Sequence, residues 1–65
     1  MRTEFVIVQT EQNGKRHLSR YGAEKLAIDK FHSAKEFYEI KFGWKVELYK
    51  QVFNGTSLHH SEKMG

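Results

Sequence analysis

Residues 3 to 11 are dense in β-branched and aromatic side chains around Phe5-Val6-Ile7-Val8, stop at Asn13-Gly14, and resume as Arg16-His17-Leu18-Ser19-Arg20-Tyr21. This pattern predicts a β-hairpin. Asn-Gly offers two residues that accept positive φ, as a two-residue type I′ turn requires. Such a turn sets Lys15 opposite Gln12. Val6, Val8, Thr10, His17, Ser19 and Tyr21 then share one face, and Phe5, Ile7 and Leu18 share the other. In that register Arg16 opposes Glu11. Both faces are apolar near the open end and polar near the turn, so the open end packs and the turn projects into water.

Between Gly22 and Gly43 two readings compete. In the first, Lys25 to Phe31 is a third strand, with Leu26 and Ile28 on one face and Ala27 and Phe31 on the other. A short helix follows from Ala34 to Phe42, opened by the capping box Ser33-Ala34-Lys35-Glu36. Ala34, Phe37, Tyr38, Ile40 and Phe42 fill its apolar arc, and Lys41 intrudes on that arc and must snorkel. In the second, a single helix fills the interval, because Ala27, Phe31, Ala34 and Tyr38 also lie on one helical stripe. The first is preferred. Asp29-x-x-His32-Ser33 is poor helix interior, and Ser33 suits a cap better.

Gly43 fits the left-handed position after a helix. Beyond it Trp44, Val46, Leu48 and Val52 alternate with Lys45, Glu47, Tyr49 and Gln51, which predicts a strand with one apolar and one mixed side. A second Asn-Gly at 54 and 55 turns the chain toward Thr56-Ser57-Leu58-His59-His60. With one apolar residue that segment buries little and is expected to fray. The predicted fold is therefore α+β: an antiparallel sheet of three to four strands with one helix packed on one face, in the order ββ(β)αβ. Residues 1–55 form the single domain and 56–65 a flexible C-terminal tail.

Composition narrows this picture. Sixty-five residues allow one domain, and a chain this short removes only about 60% of its unfolded surface from water. Without cysteine there is no disulfide, thiolate metal site or cysteine nucleophile. The longest apolar run, residues 5 to 8, is far below the roughly 18 residues of a membrane-spanning helix. No secretory signal is visible, so the cytoplasm is the expected location. Phe, Tyr and Trp together number nine, 14% of the chain. A single helix covers one face of a sheet, so some aromatic surface is expected to meet a partner, including a second copy of the chain.

The run Glu4-Phe5-Val6-Ile7-Val8-Gln9-Thr10 with Asn13-Gly14-Lys15-Arg16, followed by Phe31-His32-Ser33-Ala34-Lys35-Glu36 and Gly43-Trp44-Lys45-Val46-Glu47, resembles in layout small uncharacterised proteins of Gram-positive phages and mobile elements. That resemblance brings no shared activity. It implies a setting in which short chains act by binding host or phage macromolecules.

Eleven Lys and Arg against eight Asp and Glu leave a net charge of +3. The basic excess is densest at Lys15, Arg16, Arg20 and Lys25, with Tyr21 among them. A basic hairpin with a ring can track phosphates and stack a base, so these five are the nucleic-acid candidates. The bland counterpart is a solvated hairpin tip whose charges discourage edge pairing. Tyr49, Gln51 and Phe53, ringed by Lys45 and Glu47, are the protein-interface candidates, though such rings also serve as ordinary packing. His59, His60 and Glu62 form the densest set of metal-ligand types. Neighbouring strand residues point to opposite faces, so no metal site is expected.

No phosphate loop, HExxH or nucleophile motif is present, and no cofactor or catalytic residue is assigned. The sequence thus favours a small non-enzymatic binding module acting on a protein. A weak nucleic-acid binder using the hairpin from 15 to 25 is the alternative.

Overall fold

The computed structural model describes residues 1 to 65. Strands β1 (Arg2–Thr10) and β2 (Arg16–Tyr21) form the expected antiparallel hairpin. Its turn is longer by one residue. The Gly14 amide donates to the Glu11 carbonyl at 2.9 Å, and the Glu11 amide donates to that of Lys15 at 2.8 Å. Gln12, Asn13 and Gly14 therefore form a three-residue loop. Among them only Gly14 has a positive φ, 92°, whereas a type I′ turn needs it at both central positions. Asn13 instead uses its side-chain oxygen to accept the Lys15 amide at 3.0 Å.

The extra residue slips the register by one and turns β2 over. Phe5 faces Tyr21, Ile7 faces Ser19 and Gln9 faces His17, while Val6 faces Arg20, Val8 faces Leu18 and Thr10 faces Arg16. Val6 and Val8 therefore share a face with Leu18 and Arg20, and Phe5 and Ile7 with His17, Ser19 and Tyr21, not the sets the two-residue turn predicts. Arg16 does not oppose Glu11, whose Oε2 lies 2.6 Å from Nε2 of His17.

Residues 24 to 42 are one helix, α1, not a strand and a short helix. It is α-helical over Glu24–Ala34, a π-turn over Lys35–Glu39, and α-helical again over Ile40–Phe42. Ser33 lies inside it and caps nothing. The stripe of Ala27, Phe31, Ala34 and Tyr38 wins because it packs on the sheet. Asp29, His32 and Ser33 are exposed, where weak helix propensity costs only tenths of a kcal/mol each.

The π-turn resolves the Lys41 conflict. One extra residue in the turn rotates the last three helical positions, so Phe42 swings in toward Trp44, with ring centroids 5.9 Å apart. Lys41 swings out and sets its ammonium 5.0 Å from the Phe37 ring centre. Ile40 is left 77% exposed. Gly43 then ends the helix at φ 71°, as the sequence predicts. A Cβ there would also sit 2.9 Å from Nε2 of Gln12, which donates to the Phe42 carbonyl at 3.3 Å and ties the hairpin turn to the helix end.

β3 (Lys45–Asn54) pairs antiparallel with β1, with Leu48 opposite Ile7. Gly55 takes a φ of 66° at the second Asn-Gly turn, and β4 (Ser57–Lys63) returns along β3. The sheet order is β2-β1-β3-β4. The fold is α+β with one helix on one face, and its fourth strand comes from the C-terminal segment rather than from 25 to 31. Phe5, Ile7, Val46 and Leu48 from the sheet and Ala27 and Phe31 from α1 make the core.

The segment expected as a flexible tail is paired through the sheet ladder, yet every β4 side chain is exposed. Beyond it the Met64 amide donates to the Leu48 carbonyl at 2.8 Å, and the Gly65 carbonyl accepts the Leu48 amide at 2.8 Å. With no apolar burial of its own, β4 should open locally at far lower cost than the core strands. Hydrogen exchange should therefore show β4 amides exchanging well before those of β1. Equal protection would mean that β4 belongs to the cooperative core. Phe31→Ala should cost about 3–5 kcal/mol. That is comparable with the whole stability of a domain this small, roughly 3–10 kcal/mol. A urea melt should find the variant largely unfolded.

Candidate functional site: the open face of the sheet

Strand alternation sorts the remaining side chains by face. Val6, Val8, Leu18, Tyr49, Gln51, Phe53 and Leu58 lie opposite the helix, together with the charged residues Arg2, Glu4, Arg16, Arg20, Lys45, Glu47 and Lys63. No helix covers this face. Val6 is nevertheless only 2% exposed, shielded by its cross-strand neighbours Arg20 and Tyr49. The face roofs itself with its own long side chains.

Its polar groups are tied together in short links. The Tyr49 hydroxyl donates to Oε2 of Glu47 at 2.8 Å, and the same oxygen lies 3.6 Å from Nζ of Lys63 and 3.9 Å from Nζ of Lys45. Arg20 donates to Oε1 of Gln51 at 3.2 Å. Arg2 pairs with Glu4 at 3.3 Å and sets its guanidinium 5.0 Å from the Phe53 ring centre. The Tyr49 hydrogen bond, helped by Lys45 and Lys63, holds the Glu47 carboxyl below the ordinary 4.5 despite partial burial. The same bond to Glu47 pushes the Tyr49 phenol above its usual 10.0.

Charge separates this face from the rest of the molecule. Five cations and two carboxylates give it +3, the formal net charge of the whole chain. The remaining six cations and six acids cancel. Arg16 and Arg20 have no carboxylate partner, unlike Arg2, Lys45 and Lys63. The most exposed apolar side chains of the face lie on its two edge strands, Leu18 on β2 at 57% and Leu58 on β4 at 53%.

The structure gathers part of each sequence-predicted set on this one face. Tyr49, Gln51 and Phe53 are there, half-buried, and Arg16 and Arg20 stand with them. Tyr21 is on the opposite side, packed against the core beneath α1. Lys15 sits at the hairpin turn and Lys25 on the first turn of α1, so the five basic-hairpin candidates do not converge. Arg2, Leu18, Leu58 and Lys63 were not singled out by sequence. Alternation alone places Leu18 and Arg20 beside Val6 and Val8, but only when the hairpin loop is counted as three residues.

Elsewhere, no three His, Asp or Glu side chains converge. His60 approaches Glu62 at 3.6 Å on the exposed β4. A shallow depression of about 270 Å³ lies on the outer flank of α1, between Ser33, Glu36, Phe37 and Lys41, away from every residue of the open face. No helix is long and apolar enough to cross a membrane.

A carboxyl held below its unfolded value stabilises the fold above that value, and the contribution is lost as pH falls through the folded pKa. A phenol held above 10.0 contributes below that value, and the contribution is lost as pH rises through its raised pKa. Chemical melts from pH 7 downward should therefore show the wild type losing its advantage over Glu47→Gln below pH 4.5. A constant difference down to pH 2 would show that Glu47 contributes no acid-labile stability. No protein-family model, curated protein or solved structure matches this chain.

Proposed function

We propose that this is a non-enzymatic binding module that acts in the cytoplasm by protein–protein interaction, through the open face of its sheet, on a partner with an acidic surface. The observation that carries the reading is the concentration of the entire net charge on a face that also presents Tyr49, Phe53, Leu18 and Leu58. Preformed rings lose little entropy on contact, and unpaired arginines favour carboxylates in bidentate geometry. Two carboxylates on the central strands, Glu4 and Glu47, weigh against a phosphate chain laid across the sheet. The layout resemblance to small phage and mobile-element proteins fits an accessory role of this kind.

A second reading, nucleic-acid contact, is favoured by one observation: Arg16 and Arg20 on the hairpin lack acidic partners. Phosphate contact along β2 would avoid the central carboxylates. The two readings separate by salt and by variant. Polynucleotide binding weakens steeply with salt, in proportion to the number of phosphates neutralised.

Tagged wild type and the double variant Arg16→Glu with Lys63→Glu, incubated with lysate of the native host, should differ in the proteins they retain. The retained partner should bind the purified wild type at least tenfold more tightly than the variant. Retention insensitive to both charge reversals would end the open-face reading. Recovery of RNA or DNA alone, released by moderate salt, would reverse the order of the two readings.

A further inference from the structure

The two edges of the sheet are unlike. β4, at one edge, has no buried side chain. β2, at the other, is held on both faces. On the helix side His17 is locked by Glu11 at 2.6 Å and stacked on Trp44, with ring centroids 5.6 Å apart and planes within 9°. Tyr21 packs against the core, and on the open side Arg20 is held by Gln51 at 3.2 Å. β2 therefore presents a preformed row of backbone groups with no strand beyond it. No bulge or proline interrupts it.

Its open face carries a definite pattern: Arg16, Leu18, Arg20. We infer that β2 is a docking edge, where an extended acidic segment of a protein partner adds as a fifth strand. This deepens the open-face reading and rests on it. Main-chain hydrogen bonds would supply affinity, and the side-chain pattern would choose the sequence. An antiparallel segment fits when acids four residues apart face the two arginines and an apolar residue midway faces Leu18. A second copy of β2 is the wrong occupant. Paired about Leu18, two such strands set Arg16 of one against Arg20 of the other, like charge on like. The arrangement repels self-pairing and admits acid.

The test uses the full chain and a labelled peptide, Thr-Glu-Thr-Val-Thr-Glu-Thr, followed by fluorescence anisotropy. The peptide should bind, and its counterpart with Lys for Glu should not. Arg16→Glu with Arg20→Glu should invert that preference. Arg20→Glu removes the bond to Gln51, so Trp44 fluorescence, which reports the Trp44–His17 stack, serves as the fold control for the double variant. Arg16→Glu alone, at an exposed residue with no side-chain hydrogen bond, should show the same direction of change. N-methylating alternate peptide amides in one phase should weaken binding about tenfold or more, and in the other phase hardly at all, because only one set faces β2. Hydrogen exchange of β2 amides should slow on binding.

Equal loss in both phases, equal binding of the Lys peptide, or no binding at millimolar peptide would each overturn the edge assignment. The wider reading falls separately. It fails when the retained partner ignores Arg16→Glu with Lys63→Glu, and stands when that partner is lost even though no peptide adds to β2.

Discussion

One helix can bury one face of a sheet, and the rest of this molecule is shaped by that limit. The core lies wholly on the helix side: Phe5, Ile7, Val46 and Leu48 meet Ala27 and Phe31. Ala27 has no exposed surface, and its small side chain lets the helix backbone approach the strands closely. Nothing comparable is present on the other face. Val6 is buried there all the same, between its cross-strand neighbours Tyr49 and Arg20 on the flanking strands. Tyr49 is pinned there by Glu47 and Arg20 by Gln51. A face built this way is dry beneath and carries its charge above.

The helix end meets a similar constraint by a different device. Trp44 needs ring neighbours on the helix side, and the alternatives at the last turn are a lysine and a phenylalanine. The π-turn over Lys35–Glu39 delivers the phenylalanine. Tyr38 stacks on Trp44 with centroids 4.9 Å apart, and Trp44 in turn stacks on His17 of β2. The aromatic column thus runs from helix to hairpin, while Gln12 reaches from the hairpin loop to the last helical carbonyl. Ile40 stays exposed on the far side of the helix, and the core gains a closed end.

Much of this was legible in the sequence. Strand alternation from Trp44 to Val52 and the Gly43 stop stand where their local signatures lie, and both Asn-Gly steps mark a reversal, though the first loop is Gln12-Asn13-Gly14 and the second Gly55-Thr56. What was not legible turned on interactions that only the assembled fold supplies. Asn13 could accept positive φ, and nothing nearby says that its side chain will instead take the Lys15 amide. One residue of loop length then decides which face Arg16, Leu18 and Arg20 occupy. Likewise Ser33-Ala34-Lys35-Glu36 satisfies a capping rule in isolation. The sheet's demand for Ala27 and Phe31 on one helical stripe overrides it, because buried apolar area outweighs a cap worth about 1 kcal/mol.

That single slipped residue also decides the electrostatics. With β2 in the two-residue register, Arg16 and Arg20 would lie on the face that also receives the helix. α1 carries four lysines against four acids, so those two charges would disperse into a balanced surface. In the observed register they join Arg2, Lys45 and Lys63 opposite the helix. An approaching molecule senses charges within about 10 Å at moderate salt, so it meets the local +3 rather than an average over the molecule. The neutral helix side offers no such pull. On the proposed reading, an acidic partner would be oriented before contact toward the Arg16–Leu18–Arg20 edge, since those two arginines are the cations of the face without a carboxylate to answer them.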